Sequence, residues 1–312
     1  MVTPAVTPVV TPARRRIDRH DWQRGGVYAI VGVALLCTMD MLAKLLVQTG
    51  VSGVQIVALR TFVILPLLLG MQLVRGRVGE LRTRRPMAHL ARGLVGTAAP
   101  VLFFTGLAFV SLAHATIIFF SSVFLATILA MLLLGERTGV HRWSAILVGF
   151  AGVWLVVGPA GSDGEKLPGY ALLAVGALCY SLYFISGRVL AREDSAESLV
   201  FSYNLIAGVV TLALLPWLWV AMDAQALLLL LVLSLLALLG HLAMTQAFRH
   251  AEASYIAVLD YTALLWAVVF DALVFDGLPT WSTVAGAALI IGRSLYMSTA
   301  ERRHAAKLIG TT

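Results

Sequence analysis

Charged residues, cysteines and long polar segments are scarce in this sequence. Only 12% of the 312 residues are charged, whereas 60% are hydrophobic, and the mean hydropathy is +0.90. A soluble protein with helices of this apolarity needs a polar shell of comparable size around them, and no segment of the chain is long and polar enough to form one. The composition therefore excludes an ordinary soluble domain.

Motifs that would indicate an enzyme or an ATP-driven machine are also missing. The sequence contains no His-Glu-x-x-His, no Gly-x-Ser-x-Gly and no phosphate-binding glycine loop, so the usual zinc-peptidase, serine-hydrolase and nucleotide sites are absent. The two cysteines, Cys37 and Cys179, have no ligand-like spacing and fall inside apolar stretches, where they act as small packing residues. We predict a protein that is not an enzyme and that holds no metal or cofactor.

What the sequence does contain is a succession of ten apolar stretches between Gly26 and Thr299. A membrane-spanning helix needs roughly 20 predominantly apolar residues, and runs such as 226–239 lack the two-residue alternation of a membrane β-strand. The pattern therefore predicts an all-α membrane protein with ten transmembrane helices. We place these helices at residues 26–47, 52–74, 89–110, 113–134, 141–159, 169–191, 197–221, 225–248, 252–273 and 279–299.

Basic residues fall almost entirely on alternate connections between these stretches, and the other connections hold a single Lys166. Because positive residues are retained on the cytoplasmic side, we predict cytoplasmic termini and an inner (plasma) membrane of the bacterial type. The same asymmetry explains the net charge of +7 through attraction to anionic lipid, without a nucleic-acid partner. The basic residues are Arg14, Arg15, Arg16, Arg19, Arg24, Arg75, Arg77, Arg82, Arg84, Arg85, Arg137, Arg142, Arg188, Arg192, Arg249, Arg302, Arg303 and Lys307.

The chain shows signs of an internal duplication. Residues 32–44 in span one match residues 176–188 in span six, with a glycine at the start and a basic residue at the end. Spans four and nine open with similar Ala-Phe and Ala-x-Ala pairs, and spans five and ten open with Trp143-Ser144 and Trp281-Ser282. Five spans per half invert the second half relative to the first. Inverted repeats are typical of secondary transporters, which bind substrate near the middle of the membrane.

Two stretches of the chain carry glycines and aromatic residues at distinctive positions. The first stretch is Gly135-Glu136-Arg137-x-Gly139-x-x-Arg142-Trp143-x-Ala145, Gly149-Phe150-Ala151-Gly152-Val153 and Pro159; the second is Tyr261-Thr262, Trp266, Phe275-Asp276-Gly277-Leu278-Pro279 and Gly286-Ala287-Ala288-Leu289-Ile290. The first resembles the end of an EamA module of the drug/metabolite transporter superfamily, and the second resembles the same part of a second copy. Ser122, and Tyr261 or Thr262, stand where the family commonly has a mid-helix proline.

The resemblance covers almost the whole chain and implies ten spans in two inverted five-helix repeats that transport small metabolites. Within the superfamily, we expect similarity to the ten-span amino-acid exporters of the YddG type. The implied organisation is a basic tail at 1–25, a first repeat at 26–159, an outer linker at 160–168, a second repeat at 169–299 and a tail at 300–312.

Asp40 on span one and Arg60 on span two are the first candidate site residues. An ionisable group in hydrocarbon costs at least about 2.5 to 3.5 kcal/mol, so it usually faces a cavity or a partner. At about 1.5 Å per residue, both lie roughly 10 Å below the outer surface. Three arrangements are open: an Asp40–Arg60 ion pair, an Asp40–Lys44 pair one helical turn apart, and contact of Arg60 or Lys44 with a substrate carboxylate.

Asp260 on span nine is the most isolated acid and lies about 12 Å from the cytoplasmic surface. Such a carboxylate can bind a proton or a substrate amine, or it can simply accept hydrogen bonds from neighbours. His241 on span eight is a second candidate for proton coupling, although one histidine does not make a relay. Asp271 and Asp276, near the outer end, are expected to be solvated.

Aromatic and amide side chains are candidates for the cavity wall. Such a wall suits amphipathic substrates with an apolar or aromatic part, although single aromatics in membranes more often pack against helices or lipid. The candidates are Phe119, Phe120, Tyr180, Tyr183, Tyr203, Asn204, Tyr261 and Trp266.

We therefore predict a secondary transporter that works by alternating access and exports amino acids, including aromatic or apolar ones, or similar small metabolites. The alternatives are a transporter of another metabolite or drug, a channel, and a lipid translocase on the same scaffold. Pro66, Pro100 and Pro216 fall inside spans two, three and seven and permit bending. The predicted partners are a small-molecule substrate and the bilayer; direction, coupling ion and oligomeric state stay open, and a monomer is compatible with the sequence.

Overall fold

The structure is a computed structural model that describes residues 19–135, 140–157, 164–191, 193–251 and 253–292. These residues form α-helices and one short 3₁₀ helix at Val78–Leu81, and they contain no β-strand. The helices are α1 (Arg19–Gln48), α2 (Gly53–Val74), α3 (Pro86–Gly106), α4 (Leu112–Leu134), α5 (Val140–Val157), α6 (Leu167–Leu190), α7 (Ala196–Leu218), α8 (Ala224–His250), α9 (Ala253–Asp260), α10 (Thr262–Val274) and α11 (Trp281–Gly292).

Seven of the described helices are long and apolar enough to cross a membrane, namely α1, α2, α3, α4, α6, α7 and α8. They coincide with predicted spans one to four and six to eight. Predicted spans five, nine and ten contain shorter helices: α5, the pair α9 and α10, and α11. Residues 1–18, 160–163 and 300–312, from the predicted tails and outer linker, lie outside the described residues, as do residues 293–299 of predicted span ten.

Local sequence explains where several helices begin and end. Ser52, Ser111 and Ser195 precede α2, α4 and α7, and each side chain accepts a hydrogen bond from the backbone N–H three residues later. Asp223 caps α8 in the same way, because oxygen-bearing side chains satisfy N–H groups that a helix start leaves unpaired. Gly135 ends α4 in the left-handed region, with φ 66°, which glycine adopts without strain.

The prolines noted in the sequence lie inside helices, and span nine is interrupted although it has no proline at that point. Pro66, Pro100 and Pro216 lie inside α2, α3 and α7. Span nine is interrupted at Tyr261, and the Thr262 hydroxyl donates to the Leu259 carbonyl over 2.7 Å. In contrast, α4 runs without interruption past Ser122. The two halves therefore differ at this level of the membrane.

Each helix of the first half packs against an antiparallel helix of the second half. Gly32 on α1 meets Met244 on α8, and Gly106 on α3 meets Leu173 on α6. On α2, the Gln55 side chain exchanges two hydrogen bonds with the backbone of Val220 beyond α7, over 2.9 and 3.0 Å. The remaining two pairs are α4 with α10, through Phe120 and Tyr261, and α5 with α11, through Gly152 and Gly286.

The bundle has two faces, which we call the N-terminal face, where α1 begins, and the opposite face, where α1 ends. The largest cluster of buried apolar residues lies toward the opposite face and joins α1, α2, α3, α4, α6, α8 and α10. A second cluster runs along α4, α5, α10 and α11. Near the N-terminal face, only Ala29, Ala247, Ala251 and Ile256 form a third cluster. The described core is therefore thicker at the opposite face.

Candidate functional site

Four ionisable side chains from different helices converge in the middle of the bundle. Asp40 lies within electrostatic range of Arg60 and of Cys37, and Asp260 lies within range of Cys37. His241 lies within range of Arg60. His241 is exposed, and Asp40 and Asp260 are half-buried. The structure therefore brings these four predicted site residues together. Ionisable groups inside a membrane protein usually face a cavity or a partner, and we refer to the space between these four side chains as the cavity.

Arg60 and Asp40 are close but do not form the predicted ion pair. The Arg60 guanidinium is only 8% exposed and lies over the Phe104 ring, 5.8 Å from its centre. Its only described hydrogen-bond acceptor is the Met39 sulfur, at 3.8 Å, and its Nε has no partner among the described residues. Asp40 likewise accepts no hydrogen bond from the described residues.

Lys44 binds Asp271 rather than Asp40, so the prediction of an Asp40–Lys44 pair is wrong. The Lys44 ammonium lies 2.9 Å from Asp271 Oδ1 and 4.2 Å from the centre of the Phe275 ring. The prediction that Asp271 is solvated is also wrong, because its side chain is buried and accepts hydrogen bonds from the backbone N–H groups of Leu112 and Ala113, over 2.9 and 2.7 Å. We call Lys44, Asp271, Leu112 and Ala113 the opposite-face clamp.

Asp271 is buried because the start of α4 is buried. The first N–H groups of a helix have no partner within the helix, and a carboxylate is favourable there because it also meets the positive end of the helix dipole. Lys44 supplies the compensating charge. The opposite-face clamp thus joins α1 and α4 of the first half to α10 of the second half, directly beside the largest apolar cluster.

Aromatic rings form a continuous wall along one side of the cavity. Phe119 on α4 contacts Tyr180 on α6, Tyr180 contacts Tyr183, and Tyr183 contacts Tyr203 on α7, with ring centres 5.1 to 6.1 Å apart. Tyr180 is 41% exposed and lies within electrostatic range of Asp260. Four predicted residues thus form one surface, which we call the aromatic wall, and it faces the acidic side of the cavity.

Four other predicted residues are not part of this wall. Phe120 points away from its neighbour Phe119 and contacts Tyr261 at the interruption of span nine, with ring centres 5.1 Å apart. Trp266 stacks on Phe270 one turn further along its own helix. Asn204 is buried and donates a hydrogen bond to the Val200 carbonyl, also in its own helix.

A second buried aspartate lies at the N-terminal face. Asp194, between α6 and α7, accepts hydrogen bonds from the Thr83 hydroxyl and the Arg84 backbone N–H, and it pairs with His89 Nε2 over 2.7 Å. Burial raises the pKa of Asp194, but the hydrogen bonds from His89, Arg84 and Thr83 outweigh burial and leave the pKa below its usual value. We call these four residues the N-face clamp.

Sequence reasoning missed Arg92, which supports the aromatic wall from the N-terminal face. Arg92 is 7% exposed. Its guanidinium lies 4.0 Å from the centre of the Tyr183 ring and donates to the Leu199 carbonyl over 3.1 Å. Because Arg92 lies six residues after the start of α3, its position in the sequence is that of an ordinary interfacial arginine. The one sequence feature that marks this region is Gly96 on the next turn, where a side chain would overlap Tyr183.

The site offers groups that can bind a small molecule. Within the described part of the chain, no group of three His, Cys, Asp or Glu residues is arranged to hold a metal ion. The cavity instead offers two acids, one buried guanidinium, a histidine and an aromatic surface. These groups can hold a small polar molecule with an apolar portion.

Comparison with known proteins gives a consistent result over both halves of the chain. The EamA-like transporter family matches residues 23–158 and again residues 167–299. A solved crystal structure aligns with a TM-score of 0.63 at 20% identity, covering 92% of this chain and 99% of the other. At that identity the likeness shows the fold alone.

Individual relatives carry different transport functions. The S-adenosylmethionine uptake transporter of Rickettsia conorii is 27% identical over 223 residues, which cover 72% of this chain and 75% of that protein. The pseudopaline exporter CntI of Pseudomonas aeruginosa is 28% identical, covering 68% of this chain and 75% of that protein. The riboflavin transporter of Rhizobium johnstonii is 30% identical, covering 74% and 76%. Uptake and export both occur among these similar proteins.

Proposed function

Since the chain belongs to the EamA-like transporter family, we propose that it is a secondary transporter that exports amino acids or similar small metabolites across an inner membrane by alternating access. The family assignment confirms the resemblance to the EamA module of the drug/metabolite transporter superfamily. The chain is thus a multi-pass membrane transporter of that type. Export, the amino-acid substrate and the cytoplasmic position of the termini are parts of the proposal.

This proposal rests on the difference in packing between the two faces of the bundle. The opposite-face clamp and the largest apolar cluster pack the bundle together at the opposite face, whereas His241, Asp260 and Tyr180 keep accessible surface. Basic residues predict that the N-terminal face is cytoplasmic. This conformation would then be open to the cytoplasm, which is one of the two states between which an exporter alternates.

The pairing of helices supports two inverted five-helix repeats, at 26–159 and 169–299. In the two repeats, α1 corresponds to α6 and α3 corresponds to α8. The α1–α8 pair in one arrangement is therefore the counterpart of the α6–α3 pair, and both pairs are observed as close antiparallel contacts. The α2–α7, α4–α10 and α5–α11 pairs each convert into themselves. A structure with this relation can adopt a second state in which the two faces exchange roles, which is the usual basis of alternating access.

Substrate selection is assigned to the cavity. The aromatic wall would hold an apolar or aromatic side chain, and the charged groups opposite it would hold the polar end. Asp260 and His241 reach the cavity from helices that begin or end at the N-terminal face, and we assign any proton coupling to them. Arg92, which stacks on Tyr183, keeps the wall in position.

Efflux from proteoliposomes tests the proposal. Purified protein is reconstituted, loaded with a panel of labelled amino acids, and assayed with and without a pH gradient. Selective efflux of a few amino acids, larger than that from protein-free liposomes, is the expected result, and acceleration by the gradient would identify proton exchange. If riboflavin or another metabolite moves and no amino acid does, the substrate class is wrong while the transporter assignment stands.

The variant Asp260→Asn tests the role of Asp260 in proton coupling. We expect at least a tenfold lower efflux rate with an unchanged yield of folded protein, because the amide neither takes up nor releases a proton during transport and carries no negative charge. Asp276→Asn is the matched control, since Asp276 is an exposed aspartate near the opposite face. Normal gradient-driven efflux by Asp260→Asn would remove Asp260 from the mechanism.

A further inference from the structure

Arg60 carries a buried positive charge that no described oxygen atom neutralises by a hydrogen bond. An arginine guanidinium stays protonated at all relevant pH values and has five N–H donors in one plane. Among the described residues, the buried Nε has no partner, and the only hydrogen bond of the guanidinium goes to the Met39 sulfur. Because a buried charged donor without an acceptor is unfavourable, the guanidinium is suited to receive a planar anionic group from a ligand.

The other buried cations near the cavity do not share this property. Lys44 is paired with Asp271. The Nε of Arg92, like that of Arg60, has no partner among the described residues, but the Arg92 guanidinium donates to the Leu199 carbonyl and stacks on Tyr183. Of these three described cations, only Arg60 therefore lacks an oxygen acceptor.

Asp40 is the complementary half of the arrangement. It lies within electrostatic range of Arg60, yet the two side chains form no ion pair, and no described residue donates a hydrogen bond to Asp40. Two opposite charges that lie close together without forming an ion pair can each bind one end of a small zwitterionic ligand. A carboxylate binds a guanidinium through two parallel hydrogen bonds, and an ammonium binds a carboxylate.

A continuous series of rings connects this pair to the aromatic wall. Arg60 lies over Phe104, Phe104 contacts Phe103, and Phe103 contacts Phe119 with ring centres 4.9 Å apart. Phe119 then contacts Tyr180, whose ring is 41% exposed. Arg60 and the aromatic wall thus belong to one connected set of rings, in which Phe103 and Phe104 are buried and Tyr180 is exposed.

We propose that Arg60 and Asp40 bind the zwitterionic head group of an α-amino acid, with the carboxylate on Arg60, the ammonium on Asp40 and the side chain along the aromatic wall. The proposal rests on the proposed transport function and specifies how that site recognises its substrate. It assigns Arg60 and Asp40 to the charged ends of the ligand and leaves Lys44 to the opposite-face clamp.

Binding of three related probes to the purified full chain in detergent tests the proposal by tryptophan fluorescence. The probes are L-phenylalanine, its amide, which lacks the carboxylate, and N-acetyl-L-phenylalanine, which lacks the ammonium. We expect each modified probe to bind about ten- to a hundredfold more weakly than phenylalanine, the range for a lost charge-assisted hydrogen bond. Equal binding of all three probes would overturn the proposal.

Variants then assign each charge to its residue. In Arg60→Gln, phenylalanine should bind no better than its amide, while the preference over the N-acetyl probe persists. Asp40→Asn should show the reverse pattern. A purely structural role would weaken all three probes together, and that result would contradict the proposal. Arg75→Gln, at the exposed end of the same helix α2, should keep both preferences.

Two further variants keep the test decisive if Arg60→Gln does not fold. Arg60→Lys keeps the charge, and the double variant Asp40→Asn with Arg60→Gln leaves neither charge unpaired. The double variant should lose both preferences, and retention of either would reject the assignment. Zwitterion binding without any flux would reject the transport function but keep the site. Efflux of a metabolite that is not a zwitterion, together with no phenylalanine binding, would reject the site but keep the transport function.

Discussion

The two faces of the bundle each hold a buried aspartate from the second half of the chain. At the opposite face, Asp271 accepts backbone hydrogen bonds from Leu112 and Ala113. At the N-terminal face, Asp194 accepts one from Arg84 and a hydroxyl hydrogen bond from Thr83. In both places, a carboxylate of the second half holds backbone or side-chain donors of the first half.

What differs is the part of the bundle that each aspartate closes. Asp271 lies on α10 beside the largest apolar cluster, and its partner Lys44 is a full positive charge. Asp194 lies in a connection, and its partner His89 ties α3 only to the neighbouring connection between α6 and α7. The opposite-face clamp therefore closes the bundle across its centre. The N-face clamp fixes only α3 and the connections beside it.

The largest expected effect is loss of the opposite-face clamp. Asp271→Asn leaves the buried Lys44 ammonium without its counter-charge, which should cost about 3–5 kcal/mol of folding stability. The measurement is thermal unfolding of the purified protein in detergent. Asp276→Asn, five residues away and exposed, should unfold at the wild-type temperature. Equal unfolding temperatures for both variants would show that the clamp contributes no stability.

A charge-free version of the same clamp separates stability from gating. In Lys44→Met with Asp271→Asn, neither charge is left unpaired, and replacement of a buried ion pair by uncharged groups is often close to neutral. We expect the double variant to recover most of the lost stability. We also expect faster labelling, from the side of the opposite face, of a cysteine introduced in place of Met39. Unchanged labelling would mean that the clamp does not close that face.

The N-face clamp should contribute less and should depend on pH. Asp194→Asn is expected to cost about 1–2 kcal/mol, because the side chain is covered but the connection lies close to solvent, which screens charge. The folded-state pKa of Asp194 lies below its usual value. Its contribution is therefore complete above an unfolded-state pKa of about 4 and is lost as the pH falls further through the folded-state pKa.

Unfolding temperatures of wild type and Asp194→Asn at pH 7 and pH 3.5 check this dependence. The difference between the two proteins should shrink at the lower pH. A difference that stays constant would mean that the carboxylate charge does not stabilise the N-face clamp. Glu193→Gln, at the neighbouring exposed position, should show a much smaller difference at pH 7.

The apolar framework could be predicted from the sequence, because membrane-spanning length and hydropathy are properties of each segment alone. Seven of the predicted spans contain a long apolar helix. The prolines in α2, α3 and α7 could be placed for the same reason. The interruption at Tyr261 could not, since no proline marks it and the backbone there is held by a hydrogen bond from Thr262 to Leu259.

The polar contacts could be predicted only as candidates, because depth along a helix does not give the rotation or the neighbour of a side chain. Depth marks Asp40, Arg60, His241 and Asp260 as separate candidates, but it does not show that their side chains meet. The burial of Asp271 could not be predicted, because it depends on the start of α4, far away in sequence. Phe119 and Phe120 are adjacent in sequence yet point to different neighbours, which is a matter of helix rotation.

Gly96→Ala tests whether the position of the Tyr183 ring affects substrate binding. A methyl group at Gly96 would overlap the Tyr183 ring, so Tyr183 must shift. We expect a loss of about 1 kcal/mol of stability, at the low end for overpacking, and a clear weakening of aromatic amino-acid binding. Gly70→Ala, where a methyl group meets open space, should change neither. Unchanged binding in Gly96→Ala would remove Tyr183 from the substrate surface.

The smallest expected effect is at the Arg85–Glu193 pair, which lies next to the N-face clamp. Its atoms are 2.6 Å apart, but the side chains are 54% and 41% exposed. Exposed pairs contribute about 0–1 kcal/mol, because solvent screens the charges and the two side chains lose rotational freedom. Arg85→Gln should therefore shift the unfolding temperature far less than Asp194→Asn does. A shift as large as that of Asp194→Asn would mean that the surface pair, rather than the buried aspartate, holds the two connections together.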